Sequence, residues 1–230
     1  MTSFQAWMDT VLFAYFPYLA LGVFLTGFYW RFTKHNDTVQ ALSTQYLSND
    51  RDLKVGSNLF HFAIIGVFFG HIFGLLAPEP LYIWLISNET KRILAIIGGG
   101  AAGLVALVGI VMLAKRRFTN ERVLANSTFA DKLAVVLIMV QIITGLLGTV
   151  VTAFSPLEAY LTIDHWAQGL FIFNPRPEHY LAATSFIHKL HIVLGFVIFC
   201  LFPFTKLMHM VVIPLKYFVA RNRVMNVGGR

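Results

Sequence analysis

Four histidines are the residues most able to do chemistry in this sequence, because they lie in otherwise apolar segments. His61 and His71 are ten residues apart in one such segment, and His191 and His209 are 18 residues apart in another. Ionisable side chains at membrane depth are costly, so they usually face a partner, a cavity or a bound group. The imidazole ring is also the commonest metal ligand among protein side chains. The four histidines therefore predict a buried ligand-binding arrangement.

Helical geometry predicts that the two histidines of each segment point into the same bundle. Ten residues place His61 and His71 ~15 Å apart along the axis and about 80° apart around it. Eighteen residues are about five full turns, so His191 and His209 are expected on one face, ~27 Å apart. Helix tilt, tilted ring planes or an inner site near the interface would have to absorb the difference between these two lengths.

The two histidine segments are expected to run in opposite directions, so that their histidines pair by depth. His71 then faces His191 on the outer side, and His61 faces His209 on the inner side. Each pair offers two imidazoles from facing helices. A low-spin b-type haem needs two such axial nitrogens and no covalent tether. The pattern therefore predicts two haem b groups, with all four histidines as ligands of haem iron.

Other uses of histidine have to be weighed against haem binding. A single zinc site needs three or four ligands that converge on one point, whereas these four are spread over the membrane thickness. Hydrogen-bonded core histidines and a histidine proton relay are further alternatives. His188 is off the five-turn register and is expected at the outer rim. His35, His165 and His179 fall in loops and are expected at the surface, the last two within reach of a substrate entrance.

The composition is that of a membrane protein. The chain has 230 residues, of which 57% are hydrophobic and 13% charged, and its mean hydropathy is +0.68. Soluble domains have about 25% charged residues. The one cysteine, Cys200, excludes an internal disulfide framework and a cysteine-rich metal cluster. The start of the chain lacks the pattern of a cleaved signal peptide, so the first apolar segment is expected to be a retained span.

Five apolar segments have the length of membrane-spanning helices. They predict an all-α integral membrane bundle of five transmembrane helices in a single domain, residues 1–230. The predicted spans cover about 8–30, 56–77, 93–114, 133–153 and 185–213, followed by a tail at 214–230.

The basic residues predict the orientation of the bundle. Thirteen of the 18 lie in three segments on one side of the membrane, 31–55, 115–132 and 214–230. Only three lie in the segments of the other side, 1–7, 78–92 and 154–184. The positive-inside rule then places the protein in the cytoplasmic membrane with its N-terminus outside and its C-terminus in the cytoplasm. The net charge of +7 is a topology signal on this interpretation, and membrane lipid rather than nucleic acid is the expected surrounding.

The two longer outer loops, 78–92 and 154–184, are rich in Trp, Tyr, Phe and Pro. They are expected either to lie as interfacial helices with Trp84 and Trp166 as anchors, or to line a pocket for an amphipathic ligand. The sequence does not decide between these two roles.

Small residues recur beside the histidines. Gly66, Gly70 and Gly74 are four residues apart, and Gly195 follows His191 by four. This spacing is typical of close helix packing, although a flat macrocycle beside a histidine also needs small neighbours. The glycines of the third span are expected to serve packing alone. Gln141, in the fourth span, is expected to make an interhelix hydrogen bond.

Three stretches carry a family resemblance. NLFHFAIIGVFFGHIFG, the KRR after the third span, and KLHIVLGFVIFCLFPFTKLMH closely resemble the gamma subunit of membrane-bound respiratory nitrate reductase. That subunit is a cytochrome b with five spans. The similarity runs through nearly the whole chain and is weakest at the extreme N-terminus, in the 154–180 loop and in the tail.

The resemblance implies an electron-transfer subunit that binds two b haems, through the same two histidine pairs, and oxidises ubiquinol or menaquinol near the outer face. It implies that Lys91, just before the third span, lies near the quinol pocket, and that Gly70 borders the same pocket. Electrons would pass to an iron–sulfur beta subunit and a molybdenum-containing alpha subunit on the cytoplasmic side. Nitrate reduction, the iron–sulfur clusters and the molybdenum cofactor would belong to these partners.

Two alternative functions stay open from the sequence. A related cytochrome b could anchor a complex with another terminal acceptor, because the terminal substrate is decided by a partner chain. A haem-free membrane anchor or ion-translocating bundle is the alternative from a different class. Apart from the resemblance, Lys91 could be a cation that reaches the interface from the end of its span.

Overall fold

The computed structural model describes residues 3–34 and 51–210, which form a helical bundle. Within these ranges five helices are long and apolar enough to cross a membrane, which confirms the predicted all-α membrane architecture. His35, residues 211–213 of the fifth predicted span and the predicted tail at 214–230 lie outside the described residues.

The helices are numbered in chain order. The five long helices are α1 Ser3–Lys34, α2 Arg51–Leu76, α4 Asn88–Thr119, α6 Phe129–Phe154 and α8 Phe186–Leu201. The three shorter helices are α3 Glu79–Tyr82, α5 Glu121–Ala125 and α7 Leu157–Phe171. Single π-helical turns occur at Val11–Tyr15 in α1 and Ala95–Gly99 in α4, and 3₁₀ turns at Pro177–Leu181, Phe202–Phe204 and Lys206–Met208.

Side chains that accept hydrogen bonds from backbone N–H groups set the starts of several helices. Thr128 and Asp131 form a reciprocal capping box at the start of α6. Ser87 and Ser185 accept from the first turns of α4 and α8. Such caps satisfy donors that have no partner inside the helix, which matters most where water is scarce. The first four predicted spans correspond to α1, α2, α4 and α6.

The fifth predicted span, 185–213, does not form one continuous helix over its described residues. The α-helix ends at Leu201, a 3₁₀ turn follows that contains Pro203, and Thr205 is fully extended (φ −119°, ψ 174°). Proline has no N–H and its ring crowds the preceding turn, so it interrupts a helix even where the sequence stays apolar. His209 therefore lies beyond a break, and the five-turn relation to α8 does not hold.

The main packing contacts join the long helices in the order α2–α4–α6–α8–α1. The α2–α4 crossing is closest at Gly109, where an added Cβ would stand 2.5 Å from the backbone N of Phe60 and 2.9 Å from the carbonyl O of Gly56. Gly103 faces the side chain of Leu146 on α6 in the same way. The predicted packing role of the third-span glycines is confirmed at these two positions.

The two helices that carry His61, His71, His188 and His191 contribute least to the core formed by the described residues. In the most apolar part of α2 and of α8, 11% of the residues are buried, against 22% in each of the other three long helices. Much of their surface is therefore free to face lipid or a bound group.

The helix α7 caps the end of the bundle where α1 begins. Trp166 on α7 is only 4% exposed, packs against Phe13, Leu170 and Leu181, and donates its indole N–H to the carbonyl of Phe13. Of the two roles left open for this loop, the interfacial anchor is therefore excluded for Trp166, because α7 is packed onto the bundle. Trp84 on the other outer loop is 77% exposed.

Replacing Gly109 with alanine is expected to weaken the α2–α4 crossing, because the new methyl group would meet backbone atoms that cannot move independently of their helix. We expect a loss of about 1–3 kcal/mol of stability, measured as a lower thermal midpoint in detergent. Gly98→Ala on the same helix is the control, since no described atom lies within 4 Å of a Cβ at that position. Equal midpoints for the two variants would contradict the expectation.

Candidate functional site

Two pairs of imidazole rings lie between α2 and the segment formed by α8 and its extension. The ring centroids of His71 and His191 are 6.1 Å apart, with 28° between the ring planes. Those of His61 and His209 are also 6.1 Å apart, with 66° between the planes. The structure thus brings together the same partners that the pairing by depth predicts.

The separation of the rings fits two ligands on one metal ion. Imidazoles bound to one iron from opposite sides have ring centroids roughly 6 Å apart, because each coordinating nitrogen stands about 2 Å from the metal. Each ring can rotate about its own metal–nitrogen bond, so interplanar angles as different as those of the two pairs are compatible with such binding.

Hydrogen bonds to the chain's own backbone orient three of the four rings. The Nδ1 atom of His61 lies 2.7 Å from the carbonyl O of Ser57, and that of His71 lies 2.8 Å from the carbonyl O of Val67. The Nδ1 atom of His209 faces a carbonyl of its own segment in the same way. A carbonyl can only accept, so Nδ1 carries the hydrogen and Nε2 keeps the lone pair that a metal needs.

The ring of His191 is oriented by α6 instead. Its Nδ1 lies 3.0 Å from the hydroxyl of Thr144, which itself donates to the carbonyl of Gln141 at 3.0 Å. The hydroxyl therefore accepts from Nδ1–H, and Nε2 carries the lone pair, which faces the side-chain amide nitrogen of Gln141 at 3.3 Å. A metal at this Nε2 would have to take the place of the Gln141 donor. Gln141 also donates to the carbonyl of His191 at 3.1 Å, which confirms its predicted interhelix bond. The role of Thr144 was missed, although it lies three residues after Gln141 on the same helix.

Two glycines of α6 make room for imidazole rings, and neither was singled out from the sequence. A Cβ on Gly145 would lie 2.9 Å from Cε1 of His191, and one on Gly148 would lie 3.3 Å from Cδ2 of His188. A side chain at Gly145 would therefore collide with a ring of the outer pair.

His188 has hydrogen-bond partners on both ring nitrogens. Its Nε2 lies 3.0 Å from the hydroxyl of Thr152, and its Nδ1 lies 2.7 Å from the hydroxyl of Ser185. Through these two hydrogen bonds His188 links α6 to the start of α8. The five-turn argument for preferring His191 was wrong, but the ring contact between His191 and His71 supports the same choice.

Three glycines of α2, unlike Gly56 on the same helix, do not serve packing within the described part of the chain. Apart from the adjoining backbone of α2 itself, no atom of residues 3–34 or 51–210 lies within 4 Å of a Cβ built on Gly66, Gly70 or Gly74. Packing against residues 3–34 and 51–210 is therefore excluded for these three, and their open faces leave room for a flat macrocycle beside the imidazoles. At Gly195 an added Cβ would stand 3.3 Å from the side-chain nitrogen of Gln141, so this glycine does serve packing.

Polar contacts from α1 and α6 hold the segment beyond the helix break. The guanidinium of Arg31 donates to the carbonyls of Pro203 and Thr205, which the break leaves without helical partners. Lys206 forms an ion pair of 2.8 Å with Asp131, whose side chain is 3% exposed. These contacts fix the short segment that ends at the inner pair.

Lys91 is buried rather than extended toward solvent. Its ammonium lies 2.7 Å from Oδ2 of Asp164, 4.4 Å from the ring centroid of Tyr82 and 5.9 Å from that of Tyr160. The ion pair is almost fully enclosed, with side-chain exposures of 8% and 3%. The interpretation of Lys91 as a cation at the interface was therefore wrong. Its polar contacts tie α4 to α7 and α3, and do not include Gly70 on α2.

Asp164 was missed by the sequence analysis. Burial raises the pKa of its carboxyl group to about 6, although the hydrogen bond and charge of Lys91 act in the opposite direction. Burial, with smaller contributions from Asp164 and Tyr82, also raises the pKa of Tyr160. The second carboxylate oxygen of Asp164, Oδ1, is buried and has no hydrogen-bond partner among the described residues.

The three remaining histidines, His35, His165 and His179, do not belong to either ring pair. His165 and His179 are exposed, as predicted, although His165 lies on the helix α7 and not in a loop, and His35 lies outside the described ranges. Within residues 3–34 and 51–210, no group of three or more His, Cys, Asp or Glu side chains is placed to hold a metal ion.

A family model described as the nitrate reductase gamma subunit matches residues 9–227. The chain belongs to the nitrate reductase gamma subunit family. The resemblance inferred from the sequence is thereby confirmed over nearly the whole chain, and the protein is a membrane component of an oxidoreductase complex that contains other subunits.

Curated relatives of this gamma subunit agree with the family model. The respiratory nitrate reductase 2 gamma chain of Escherichia coli strain K12 is 35% identical over 219 residues, covering 95% of this chain and 96% of that protein. The respiratory nitrate reductase 1 gamma chain of the same strain is also 35% identical, covering 94% and 96%. The nitrate reductase gamma chain of Bacillus subtilis strain 168 is 32% identical, covering 90% and 93%.

Proposed function

We propose that this gamma subunit is the dihaem, quinol-oxidising membrane subunit of a respiratory nitrate reductase. The observation that carries the proposal is the presence of two imidazole pairs, each with ring centroids 6.1 Å apart, at two positions along α2. On this proposal His71 and His191 hold the outer haem b, and His61 and His209 hold the inner one. Each haem, when bound, would supply a one-electron redox centre at its own depth in the membrane.

The residues around the imidazoles have definite tasks in this proposal. The bonds from Nδ1 hold each ring in the tautomer and orientation that present Nε2 to iron. Thr144 does this for His191 from the neighbouring helix. Gly66, Gly70 and Gly74 keep the face of α2 beside its histidines flat enough for a porphyrin edge.

The proposed orientation has the N-terminus outside and the C-terminus in the cytoplasm. It rests on the concentration of basic residues in the sequence segments 31–55, 115–132 and 214–230. The start of α1, the 3₁₀ turn at Pro177–Leu181 and α7 lie at the end of the bundle that holds the outer pair. Electrons released at the outer pair would then cross the membrane toward the cytoplasmic side.

Quinol is proposed to react near Lys91 and Gly70. A quinol has an apolar ring and two hydroxyl groups, so its site needs apolar walls and a small number of polar partners. Lys91 supplies a cation held between Tyr82 and Tyr160. Gly70, next to His71, has no described neighbour within 4 Å of a Cβ and leaves space on α2.

The remaining steps are proposed to belong to partner subunits. A chain with one cysteine cannot supply the thiolates that an iron–sulfur cluster requires. An iron–sulfur beta subunit would therefore accept the electrons on the cytoplasmic side, and a molybdenum-containing alpha subunit would reduce nitrate. The gamma names of the relatives support this division of tasks.

Single histidine-to-alanine variants test the haem pairing. His71→Ala and His191→Ala are each expected to remove the same haem, and His61→Ala and His209→Ala the other, because a bis-imidazole haem loses binding when either ligand is lost. Reduced-minus-oxidised absorption spectra and haem quantification measure this. His188→Ala is the matched control and should keep both haems. Loss of the same haem in His61→Ala and His191→Ala would refute the pairing, and a colourless wild-type protein would refute haem binding.

The glycines of α6 provide a test that leaves every histidine in place. Gly145→Ala is expected to displace the ring of His191, and so to lower the content of the outer haem or to change its spectrum and potential. Gly148→Ala, one turn away, meets the ring of His188 instead and should leave both haems unchanged. Redox titration with optical detection distinguishes these outcomes, and identical titrations for the two variants would argue against the assigned position of His191.

Lys91→Ala tests the quinol site. We expect the rate of haem reduction by quinol to fall by about tenfold or more, because the cation that would hold the quinol oxygen is lost, while both haems are retained. Stopped-flow reduction by menadiol measures this. Arg92→Ala is the control, since the neighbouring cation bonds to Glu89 and to the carbonyl of Ser155 instead. Unchanged quinol kinetics in Lys91→Ala would contradict the role of this residue.

A further inference from the structure

The carboxylate of Asp164 is placed as a proton acceptor beside the proposed quinol site. One oxygen, Oδ2, accepts a hydrogen bond from Lys91 at 2.7 Å. The other, Oδ1, is buried and has no partner within residues 3–34 and 51–210. A buried carboxylate normally has all its acceptor sites satisfied, so an oxygen left without a donor requires an explanation.

Quinol oxidation needs an acceptor for protons as well as for electrons. Removal of two electrons from a quinol releases two protons, and the first must leave a hydroxyl group that is a weak acid. The ammonium of Lys91 can hydrogen-bond the oxygen of the quinol, but it cannot take up a proton unless it gives one away. The only described group in ion-pair contact with this ammonium is the carboxylate of Asp164.

We propose that Asp164 takes the first proton of the quinol by way of Lys91. In this step the ammonium transfers one proton to Oδ2 of Asp164 and receives one from the quinol hydroxyl. The products are a neutral carboxylic acid, an unchanged ammonium and a quinolate anion, so protons and charge balance. This inference rests on the proposed quinol site.

The charges of the cluster favour such an exchange. Before the step the ammonium of Lys91 is paired with a carboxylate, and after it the same ammonium is paired with the quinolate. The negative charge moves from the carboxylate on one side of the Lys91 ammonium to the quinolate on the other side. No buried charge is left without a partner. The carboxyl group also has a pKa of about 6 because of burial, so its neutral form is accessible near physiological pH.

The other ionisable groups around Asp164 do not replace it. Tyr82 faces the ammonium from α3, and Tyr160 and His165 belong to the same helix as Asp164. Burial raises the pKa of Tyr160, so its hydroxyl stays protonated and cannot accept. His165 is exposed, and its ring contacts that of Tyr180 rather than the ammonium.

The experiment compares Asp164→Asn with Asp164→Glu in the intact membrane complex. Menadiol is the probe, and the initial rate of haem reduction is followed between about pH 5 and pH 8. In the wild type the rate should fall as the pH drops below about 6, because a protonated Asp164 cannot accept. Asp164→Asn should be slower by about 10- to 100-fold at neutral pH and should lack this acid limb. Asp164→Glu should recover most of the rate.

A second readout follows the proton itself. Infrared difference spectra on addition of menadiol should contain the band of a newly protonated carboxylic acid in the wild type, and this band should be missing in Asp164→Asn. Haem content is measured in each variant. If Asp164→Asn loses its haems, Asp164→Glu provides the test. The fall in its haem-reduction rate at low pH must then occur at a different pH from that of the wild type. An unchanged pH dependence would overturn the proposal.

The outcomes separate this inference from the proposed function. If Lys91→Ala is slow but Asp164→Asn keeps the wild-type rate, acid limb and infrared band, the quinol site stands and the role of Asp164 is refuted. If menadiol reduces the haems equally fast in wild type and Lys91→Ala, the proposed quinol site itself fails, and the inference fails with it.

Discussion

Everything in this bundle depends on two pairs of imidazole rings that are held apart at a fixed distance. Each pair joins α2 to the polypeptide of α8 and its extension, although the main packing contacts of the bundle reach α8 from α2 only by way of α4 and α6. Within each pair the two ring centroids are 6.1 Å apart. This distance is therefore set by the successive helix crossings together and not by a single contact. The closest of these crossings occur at glycines, because only a missing side chain lets backbones or rings approach so closely.

The pairing of the four histidines could be predicted from the sequence because the features that indicate it, histidine spacing and apolar composition, are local in the chain. The spacing of His61 and His71 on one helix follows from helical periodicity, and apolar composition identifies the spans without knowledge of their neighbours. The same reasoning failed at Pro203, where composition stays apolar while the backbone turns. It also left the role of Trp166 open, since an aromatic residue in an outer loop can face either lipid or the end of the bundle. Trp166 is buried because the first part of α1, which contains Phe13, packs against it.

The partners of the functional residues were the least predictable part. Asp164 is 73 positions from Lys91 in the chain, and nothing in the composition of the loop distinguishes it from a solvated carboxylate. Thr144 is likewise an ordinary helix residue until α8 is packed beside it. Gly145 and Gly148 carry no signal of their own, because a glycine that accommodates an imidazole has the same spacing as one that accommodates another helix.

The distribution of charge explains how the chain can hold ionisable groups in a membrane. In the described residues the lysine and arginine ion pairs lie near the two ends of the long helices: Lys91–Asp164, Arg92–Glu89 and Lys189–Asp9 at one end, Lys115–Asp52 and Lys206–Asp131 at the other. Between them the polar groups of the two pairs are imidazoles whose Nδ1–H groups bond to neutral acceptors.

A neutral imidazole avoids the cost of a charge at that depth, and it is also the only form that can bind a metal. The Nδ1–H hydrogen bonds therefore keep the rings uncharged in the membrane and also leave Nε2 with the lone pair that a metal needs.

The ion pairs do not contact the paired rings directly. Lys206 and Asp131 hold the segment after the break, so a charged contact fixes the position of the His209 ring, whose Nδ1 bonds to the carbonyl of Lys206. The ends of the bundle thus determine the geometry of its interior without placing charge there.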